Sequence, residues 1–378
     1  MKINPFKLER FFDRYEFKVK YLLCSSDSES LAVEDLLALE PDAAARLNKL
    51  WLGYTEYPGS PALREAISQL YTRIGPDEIV VHTGAEEAIY NFMNVAVDPG
   101  DHIIVHFPCY QSLTEIAAAN GCEVTRWTTR EEDGWELDLD FLRKVIQPNT
   151  RAIVVNCPHN PTGYLMDAAK QRELIEIARE HKLLLFSDEV YRELEYDRAD
   201  RLPAACDLYE NAVSLGVMSK TYGLAGLRIG WVASQNREIL GRMIAHKDYM
   251  SMCNSAPSEF LAALALRHRE TLAERNLAII NENLPILDRL FEKYEAVFNW
   301  QRPKAGTIAF PSLKQDAADL FCQNLLDQTG VLLIPSTLFD AENRNFRIGF
   351  ARRNMPEAVA VLDDYLGRNN GWDRVNHF

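Results

Sequence analysis

Short runs of apolar and β-branched residues alternate along most of the chain with longer segments in which apolar positions recur every three or four residues. The longer segments, such as QRELIEIAREHK, have the spacing of amphipathic helices, and the short runs have the length of buried strands. The short runs are EIVVHTG, DHIIVHFP, EVTRWTT, RAIVVNCP, LLLFSDE, AVSLGVMS and RIGWVAS. Because helices that join parallel strands cover both faces of a sheet, we predict an α/β fold with a mostly parallel seven-stranded sheet sandwiched by helices.

The pattern changes after residue 250, where a long helical stretch is followed by short strand signals. These signals lie in GTIAFP, GVLLIP and FRIGF, which indicates a smaller α+β domain. The opening 40 residues contain no run that suits the large sheet, so we expect them beside the C-terminal part. We therefore predict a large domain over residues 41–255 and a small domain formed by residues 1–40 and 256–378.

Charge and cysteine usage narrow the function classes. The 41 basic residues are outnumbered by 55 acidic ones, and a net charge of -14 gives no general attraction to nucleic acid or to anionic lipid. The N-terminal segment has no apolar core, and no later run reaches the roughly 18 residues of a membrane span. The seven cysteines have no CxxC or zinc spacing, and the eight histidines show no metal-ligand spacing. We expect a cytoplasmic protein without a metal site.

The ends of the predicted strands carry the candidate chemistry, because ligands of open α/β sheets bind at the carboxyl ends of the strands. In TGAEEAIY, Gly84 turns a strand into a helix whose free amides at Ala85 and Glu86 suit an anion. By itself this glycine is equally explained as an ordinary turn residue.

Two further strand ends close on polar side chains. In NCPHNPTG, the turn after the strand pins the backbone of Asn160. In FSDEVY, Asp188 ends an apolar run and Tyr191 follows it by three positions. Taken singly, Asp188 is better explained as the N-cap of a helix, and this reading weakens only when its neighbours are counted.

Four motifs carry a resemblance to a known family. The segments NPTG, SDEVY, SKTYGLAGLRIGW and FRIGF, in this order, resemble those of the class I/II aminotransferases of the pyridoxal-phosphate fold-type I superfamily. YLLCSSDSES and GYTEYPGSPALREAI are most similar to its capreomycidine-synthase-like branch. The resemblance implies the fold-type I large domain, a pyridoxal 5'-phosphate cofactor, and transfer of an amino group between an amino acid and a 2-oxo acid.

The resemblance also implies catalytic roles. Lys220 would form the internal aldimine with the cofactor and, once released by the substrate, carry the proton at Cα. Asp188 would face the pyridine nitrogen, where its charge favours the protonated ring. Asn160 and Tyr191 would bond the phenolate oxygen, with Asn160 also facing the substrate.

Further residues would hold the cofactor. The amides of Ala85 and Glu86, together with Ser219 and Arg228, would bind its phosphate. Tyr110 would stack on the ring; its alternative reading is a half-buried core aromatic.

Two more implied roles concern the substrate and a second copy of the chain. Arg347 would clamp the substrate α-carboxylate, although a lone arginine beside an edge strand is usually at the surface. Tyr54, with Tyr57 as the alternative, would reach the phosphate of the neighbouring subunit, which implies a homodimer with shared active sites.

The sequence departs from the family pattern at two positions. Many relatives carry a hydroxyl three residues before the lysine, and here that position is Val217, which puts the cofactor affinity in doubt. Dicarboxylate-specific relatives carry an arginine where this chain has Met250, beside Tyr249, so we expect an amino donor other than aspartate. Lys247 would restore a cation if the alignment slips.

Three competing functions stay open at this point. A Rossmann oxidoreductase is disfavoured because GLAGLRIG lacks the G-x-G-x-x-G spacing and precedes a predicted strand. A pyridoxal-phosphate-dependent lyase, decarboxylase or cyclase would use the same lysine, aspartate and arginine. A non-enzymatic descendant that acts as a regulator is disfavoured by the intact set of these three residues.

Overall fold

The computed structural model describes residues 2–315 and 317–368. Its helices are α1 (Lys7–Tyr15), α2 (Val33–Leu37), α3 (Ala43–Asn48), α4 (Pro61–Ser68), α5 (Ala85–Ala96), α6 (Ser112–Ala119), α7 (Leu139–Val145), α8 (Ala168–Glu180), α9 (Ala205–Leu208), α10 (Arg237–Lys247), α11 (Ala256–Arg267), α12 (Arg269–Lys293), α13 (Ala318–Thr329) and α14 (Met355–Arg368).

The strands are shorter than most of the helices. They are β1 (Tyr21–Leu22), β2 (Ile79–His82), β3 (His102–Phe107), β4 (Glu123–Thr128), β5 (Thr150–Asn156), β6 (Leu184–Asp188), β7 (Ala212–Val217), β8 (Gly230–Ala233), β9 (Phe298–Asn299), β10 (Ile308–Ala309), β11 (Ser312–Leu313), β12 (Val331–Leu332), β13 (Ile334–Pro335) and β14 (Phe346–Gly349).

The large sheet has seven strands in the order β2-β8-β7-β6-β5-β3-β4. Strand β8 runs antiparallel to both of its neighbours, and the pairs among β7, β6, β5, β3 and β4 are parallel. The predicted α/β fold with a mostly parallel seven-stranded sheet is therefore confirmed, and each apolar run of the sequence contains one strand of this sheet.

Helices cover both faces of the large sheet, which explains why its strands are continuous apolar runs. Val154 packs in the hydrophobic cluster that contains Phe92 of α5, whereas its neighbours Ile153 and Val155 pack in the cluster that contains Leu174 of α8. Strand β4 lies at the edge of the sheet and keeps most of its positions at least partly exposed. Burial on two faces leaves polar chemistry to the strand ends.

The remaining strands form small sheets near the C-terminal helices. Strand β1 pairs in parallel with β12, strands β10, β14 and β13 form an antiparallel sheet, and β11 pairs with β9. The long helical stretch predicted after residue 255 is divided at His268 into α11 and α12. The pairing of β1 places the start of the chain against the C-terminal part, while the domain boundaries themselves stay a prediction.

The lengths of the helices and the grouping of metal-binding side chains in residues 2–315 and 317–368 bear on membranes and metals. No helix in these ranges is both long enough and apolar enough to cross a membrane. In the same ranges, no three His, Cys, Asp or Glu side chains are grouped so that they could hold a metal ion.

Candidate active site

A cavity of about 540 Å³ lies at the carboxyl edge of the large sheet. Strands β5, β6 and β7 end at this edge, and α1 and residues 25–27 close the other side. The sequence-predicted residues that line the cavity are Ala85, Glu86, Tyr110, Asn160, Asp188, Tyr191, Ser219, Lys220, Arg228 and Arg347. Tyr54 does not line it in this single chain and is 81% exposed; Tyr57 is 49% exposed.

Asp188 is the carboxylate at the end of β6, and it is buried. It pairs in register with Asn156 of β5 and accepts a hydrogen bond from the backbone N–H of Val190 at 3.2 Å. Burial raises the pKa of Asp188 to about 7, while the Val190 bond and the charge of Lys220 lower it. A cationic group bound beside Asp188 would favour its ionised form.

Asn156 fixes the position of Asn160, and sequence reasoning gave it no role. Its Oδ1 accepts the backbone N–H of Asn160 at 2.7 Å, and its Nδ2 donates to the backbone oxygen of Asp188 at 2.9 Å. The available signal was its place as the last residue of β5, beside the end of β6. Asn156 thereby ties two candidate groups to each other.

Arg347 is 1% exposed, so the reading as a surface arginine is wrong. Its Nε donates to the backbone oxygen of Cys24 at 3.1 Å, and its Nη1 donates to Oδ1 of Asn160 at 3.1 Å. Its Nη2 is buried without a hydrogen-bond partner. A buried guanidinium that lines a cavity and keeps a free N–H is suited to an anionic ligand.

The start of α5 and Arg228 form a second anion site. Gly84 has a φ of +84°, and a Cβ on it would lie 2.6 Å from Nη2 of Arg228. A Cβ on Gly230 of β8 would lie 2.8 Å from the backbone nitrogen of Ala85. The absence of a side chain at Gly84 leaves space for the guanidinium, and that at Gly230 lets β8 approach the first residues of α5, whose free amides suit an anion. Ser219 lines the same cavity.

Lys220 lies between the end of β7 and the loop that leads to Arg228. Its Nζ is 5.8 Å from the centre of the Tyr191 ring and donates to Oγ of Ser26 at 2.8 Å. The hydroxyl of Tyr191 is buried without a hydrogen-bond partner and lines the cavity. Sequence reasoning did not find Ser26, which lies in a segment far from the lysine in sequence.

Helix α1 contributes groups that the sequence did not predict for the site. The hydroxyl of Tyr110 donates to Oε1 of Glu9 at 2.7 Å, and the Phe6 and Tyr110 ring centres are 4.8 Å apart. Glu86 accepts a hydrogen bond from Ser112 at 3.0 Å, and burial raises the pKa of Glu86 to about 7. The cavity wall next to α1 is therefore rich in carboxyl groups.

The two positions that depart from the family pattern lie in different places. Val217 is buried and lines the cavity, so this position offers an apolar side chain. Met250, the second position, is half-buried and is not among the residues that line the cavity, and Tyr249 beside it is 92% exposed. Lys247 is buried and donates from Nζ to the backbone oxygen of Met252 at 2.8 Å, which occupies its ammonium inside the turn.

Comparison with known proteins places these features in a family. The model of the family "Aminotransferase class I and II" matches residues 18–362. The chain is 32% identical to capreomycidine synthase of Streptomyces vinaceus, over 94% of this chain and 92% of that protein. It is 31% identical to a probable N-succinyldiaminopimelate aminotransferase of Mycobacterium tuberculosis, over 82% and 84% of the two chains. A crystal structure of a PLP-dependent aminotransferase from Streptococcus suis superposes with a TM-score of 0.92 at 35% identity, over 97% of this chain and 99% of that chain.

Proposed function

Because this chain belongs to the class I and II aminotransferases and is a pyridoxal-phosphate-dependent enzyme, we propose that Lys220 carries the cofactor in the cavity at the carboxyl edge of the large sheet. The observation that carries the proposal is that Lys220 lines the same cavity as two candidate anion sites, Arg228 with the start of α5 and Arg347. A phosphorylated cofactor and an α-carboxylate require two such sites.

The residues of the cavity fit the cofactor. The glycine-lined cradle at Gly84 accepts a phosphate beside Arg228, and Ser219 adds a hydroxyl in place of the one missing at Val217. The unpartnered hydroxyl of Tyr191 and the amide of Asn160 can donate to the phenolate oxygen.

Pyridoxal phosphate, when bound, supplies an electron sink that lets the Cα–H bond of an amino acid break. Asp188 would face the ring nitrogen of the cofactor and favour its protonated form, because a buried carboxylate stabilises a neighbouring positive charge. Arg347 binds the α-carboxylate through its free Nη2 and so orients the substrate. Lys220, once free, takes the proton from Cα and becomes an ammonium.

A lyase, decarboxylase or cyclase is the second candidate, because the same residues serve these reactions and one relative is a capreomycidine synthase. The two candidates differ in the fate of the amino group. We expect the purified protein to convert a 2-oxo acid into its amino acid when it is incubated with a suitable amino donor.

The experiment that tests the proposal is a screen of amino acids by cofactor absorbance, followed by product analysis and borohydride reduction. Reduction should attach the cofactor to Lys220, and Lys220→Ala should abolish both the adduct and nearly all turnover. An adduct mapped to another lysine would contradict the assignment. Release of ammonia or CO₂, or cyclisation of the amino acid, without amination of a 2-oxo acid would favour the second candidate.

We also propose that the chain forms a homodimer in which Tyr54 reaches the phosphate of the neighbouring subunit. Exposed Trp51, Leu52 and Tyr54 lie in one segment, and the neighbouring Thr55 donates to the backbone oxygen of Asn254 at 3.3 Å. Large apolar side chains grouped on one surface favour association.

Two further proposals concern domains and location. The pairing of β1 with β12 supports a small domain built from residues 1–40 and 256–378, beside a large domain over 41–255. The seven cysteines are free thiols, five of them buried, which supports a cytoplasmic location.

A further inference from the structure

A hydroxyl from the segment after β1 contacts the lysine of the active site. Ser26 Oγ accepts the hydrogen bond from Lys220 Nζ at 2.8 Å, although 194 positions separate the two residues. Ser26 is half-buried and lines the cavity. The contact therefore brings a polar group of the N-terminal segment to the reacting end of the site.

The position of Ser26 is fixed by other parts of the fold. Thr307 donates from its hydroxyl to the backbone oxygen of Ser26 at 2.8 Å, and the backbone N–H of Gly349 donates to Leu23 at 3.0 Å. A Cβ on Gly349 would lie 2.1 Å from the backbone oxygen of Ser25, so this approach of the segment to β14 requires glycine. Ser26 therefore offers its hydroxyl to Lys220 from a rigid support.

The chemistry of a hydroxyl suits a lysine that must accept a proton. A carboxylate next to an amine favours the ammonium form, which cannot take a further proton. A serine oxygen carries no charge and accepts one N–H, so it can hold a neutral amine and leave the nitrogen lone pair free. Asp27, the adjacent carboxylate, is instead paired with Arg352 at 2.9 Å.

We propose that Ser26 is a positioning residue that holds the amine of Lys220 beside the substrate Cα whenever the lysine is not bonded to the cofactor. The proposal rests on the proposed function, because it requires Lys220 to carry the cofactor and then to be released. Ser26 acts through Lys220 and makes no covalent bond.

Methylamine is a probe of the released lysine that does not depend on knowing the substrate. It displaces the lysine from the cofactor, and the midpoint concentration is read from the loss of borohydride-trapped Lys220 by mass spectrometry. Ser26→Ala removes a hydrogen bond to the released amine, so its midpoint should be roughly 3- to 10-fold higher than that of the wild-type protein. Ser26→Thr keeps the hydroxyl and should restore a midpoint near the wild-type value.

Ser28→Ala is the matched control, because the buried hydroxyl of Ser28 lies in the same segment without a hydrogen-bond partner. Its midpoint should equal that of the wild-type protein. Equal midpoints for Ser26→Ala and the wild type, or an equal shift in Ser28→Ala, would overturn the proposal. If Ser26→Ala fails to fold, Ser26→Cys replaces it, because a thiol is a weaker hydrogen-bond acceptor. The methylamine midpoint of Ser26→Cys should then rise by a smaller factor. An unchanged midpoint would overturn the proposal.

A second readout uses the pH profile. Ser26→Asp places a carboxylate beside the amine and raises its pKa, so the acidic limb of kcat should move to higher pH by about one unit with the best amino donor from the screen. An unchanged acidic limb of the kcat profile would count against contact between residue 26 and the free amine of Lys220. Failure of borohydride to label Lys220 in the wild-type protein would instead refute the proposed function, so the two failures are distinguishable.

Discussion

At the scale of single residues, the site depends on polar side chains that the fold keeps buried and partly unpaired. The free Nη2 of Arg347 and the hydroxyl of Tyr191 lack partners in the cofactor-free chain, and the carboxyl of Asp188 is protonated up to about neutral pH because burial raises its pKa to about 7. Such groups lower the free energy of unfolding until a bound ligand pairs with them. Function and stability are therefore opposed at these residues.

The first prediction concerns Asp188→Asn in the cofactor-free protein. The pKa of Asp188 is raised in the folded chain, so its destabilising effect is absent below the unfolded pKa and grows as the pH rises toward about 7. Asp188→Asn should increase the free energy of unfolding at pH 8 by several kcal/mol, and by less at pH 5. Denaturant unfolding at the two pH values measures this difference, and a gain independent of pH would contradict it.

The same substitution should slow catalysis. An amide cannot neutralise a protonated ring nitrogen, so turnover should fall by a factor of about 10² or more while the cofactor is still bound. Wild-type turnover in Asp188→Asn would remove Asp188 from the mechanism.

The choice of amino donor also depends on single residues that line the cavity. Glu9 of α1 and Glu16, which follows this helix, line the cavity, and burial together with the charge of Asp27 raises the pKa of Glu16. Of the three cations of α1, Arg10 lines the cavity, and its Nη1 lies 3.3 Å from Oδ2 of Asp13. A second carboxylate on the substrate would meet these acids.

We therefore predict that aspartate is a poor amino donor, with kcat/KM at least about tenfold below that of a neutral or aromatic amino acid, since like charges repel in a partly buried site. Glu9→Gln keeps a hydrogen-bond acceptor for Tyr110 and removes the charge, so it should reduce the difference in kcat/KM between the two amino donors. Steady-state kinetics with both donors provide the measurement, and a clear preference for aspartate would refute the prediction.

At the scale of elements, the sequence predicted what depends on local pattern. The strands of the large sheet are buried on two faces and so appear as continuous apolar runs, and the candidate residues at their ends follow from the position of each strand end. The pair of β9 with β11 was not predicted, because these two strands lie outside the three segments with a strand signal in this part of the chain. Nor was the position of α1 over the cavity, because its charged and aromatic residues have the pattern of any amphipathic helix.

The candidate site also contains some residues that the sequence reveals and others that only the structure reveals. Lys220, Asp188 and Arg228 stand in motifs that a reader of the sequence can recognise. Asn156 and Ser26 could not be assigned roles from sequence, because the bonds of Asn156 to Asp188 and of Ser26 to Lys220 join segments that meet only through tertiary packing.

The element-scale prediction concerns the start of α5. Gly84→Ala forces a side chain onto a φ of +84° and into the space of the Arg228 guanidinium, so cofactor affinity should fall by roughly 10- to 100-fold. Gly226→Ala is the control, because a Cβ there meets nothing within 4 Å in the same loop as Arg228. Cofactor titration followed by fluorescence compares the variants, and equal affinities would exclude a role for this close approach.

At the scale of the whole molecule, the single chain leaves an apolar surface exposed. Trp51 and Leu52 are 80% and 78% exposed, and Tyr54 beside them does not reach the cavity of its own chain. A second copy packed on this surface would bury these side chains and bring Tyr54 to the other cavity, as the proposed homodimer requires.

We predict a dimer in analytical ultracentrifugation at assay concentrations. Leu52→Asp should shift the equilibrium toward monomer and lower activity, because a buried unpaired charge costs several kcal/mol. Leu320→Asp, on the exposed face of α13, is the matched control and should leave the dimer intact. Tyr54→Phe should keep the dimer but weaken phosphate retention, and fully active monomers would contradict the shared site.

The pairing of β1 with β12 also has a consequence for the timing of synthesis. Leu22 pairs with Leu332, so the ribosome must add 310 further residues before the partner strand exists. At about 5–20 residues per second this delay is roughly 15–60 s, during which β1 has no partner strand. The parallel strands of the large sheet are all made within that interval. A nascent chain can therefore complete the cradle for the phosphate well before it can hold Lys220 in place, and catalytic competence should appear only late in synthesis.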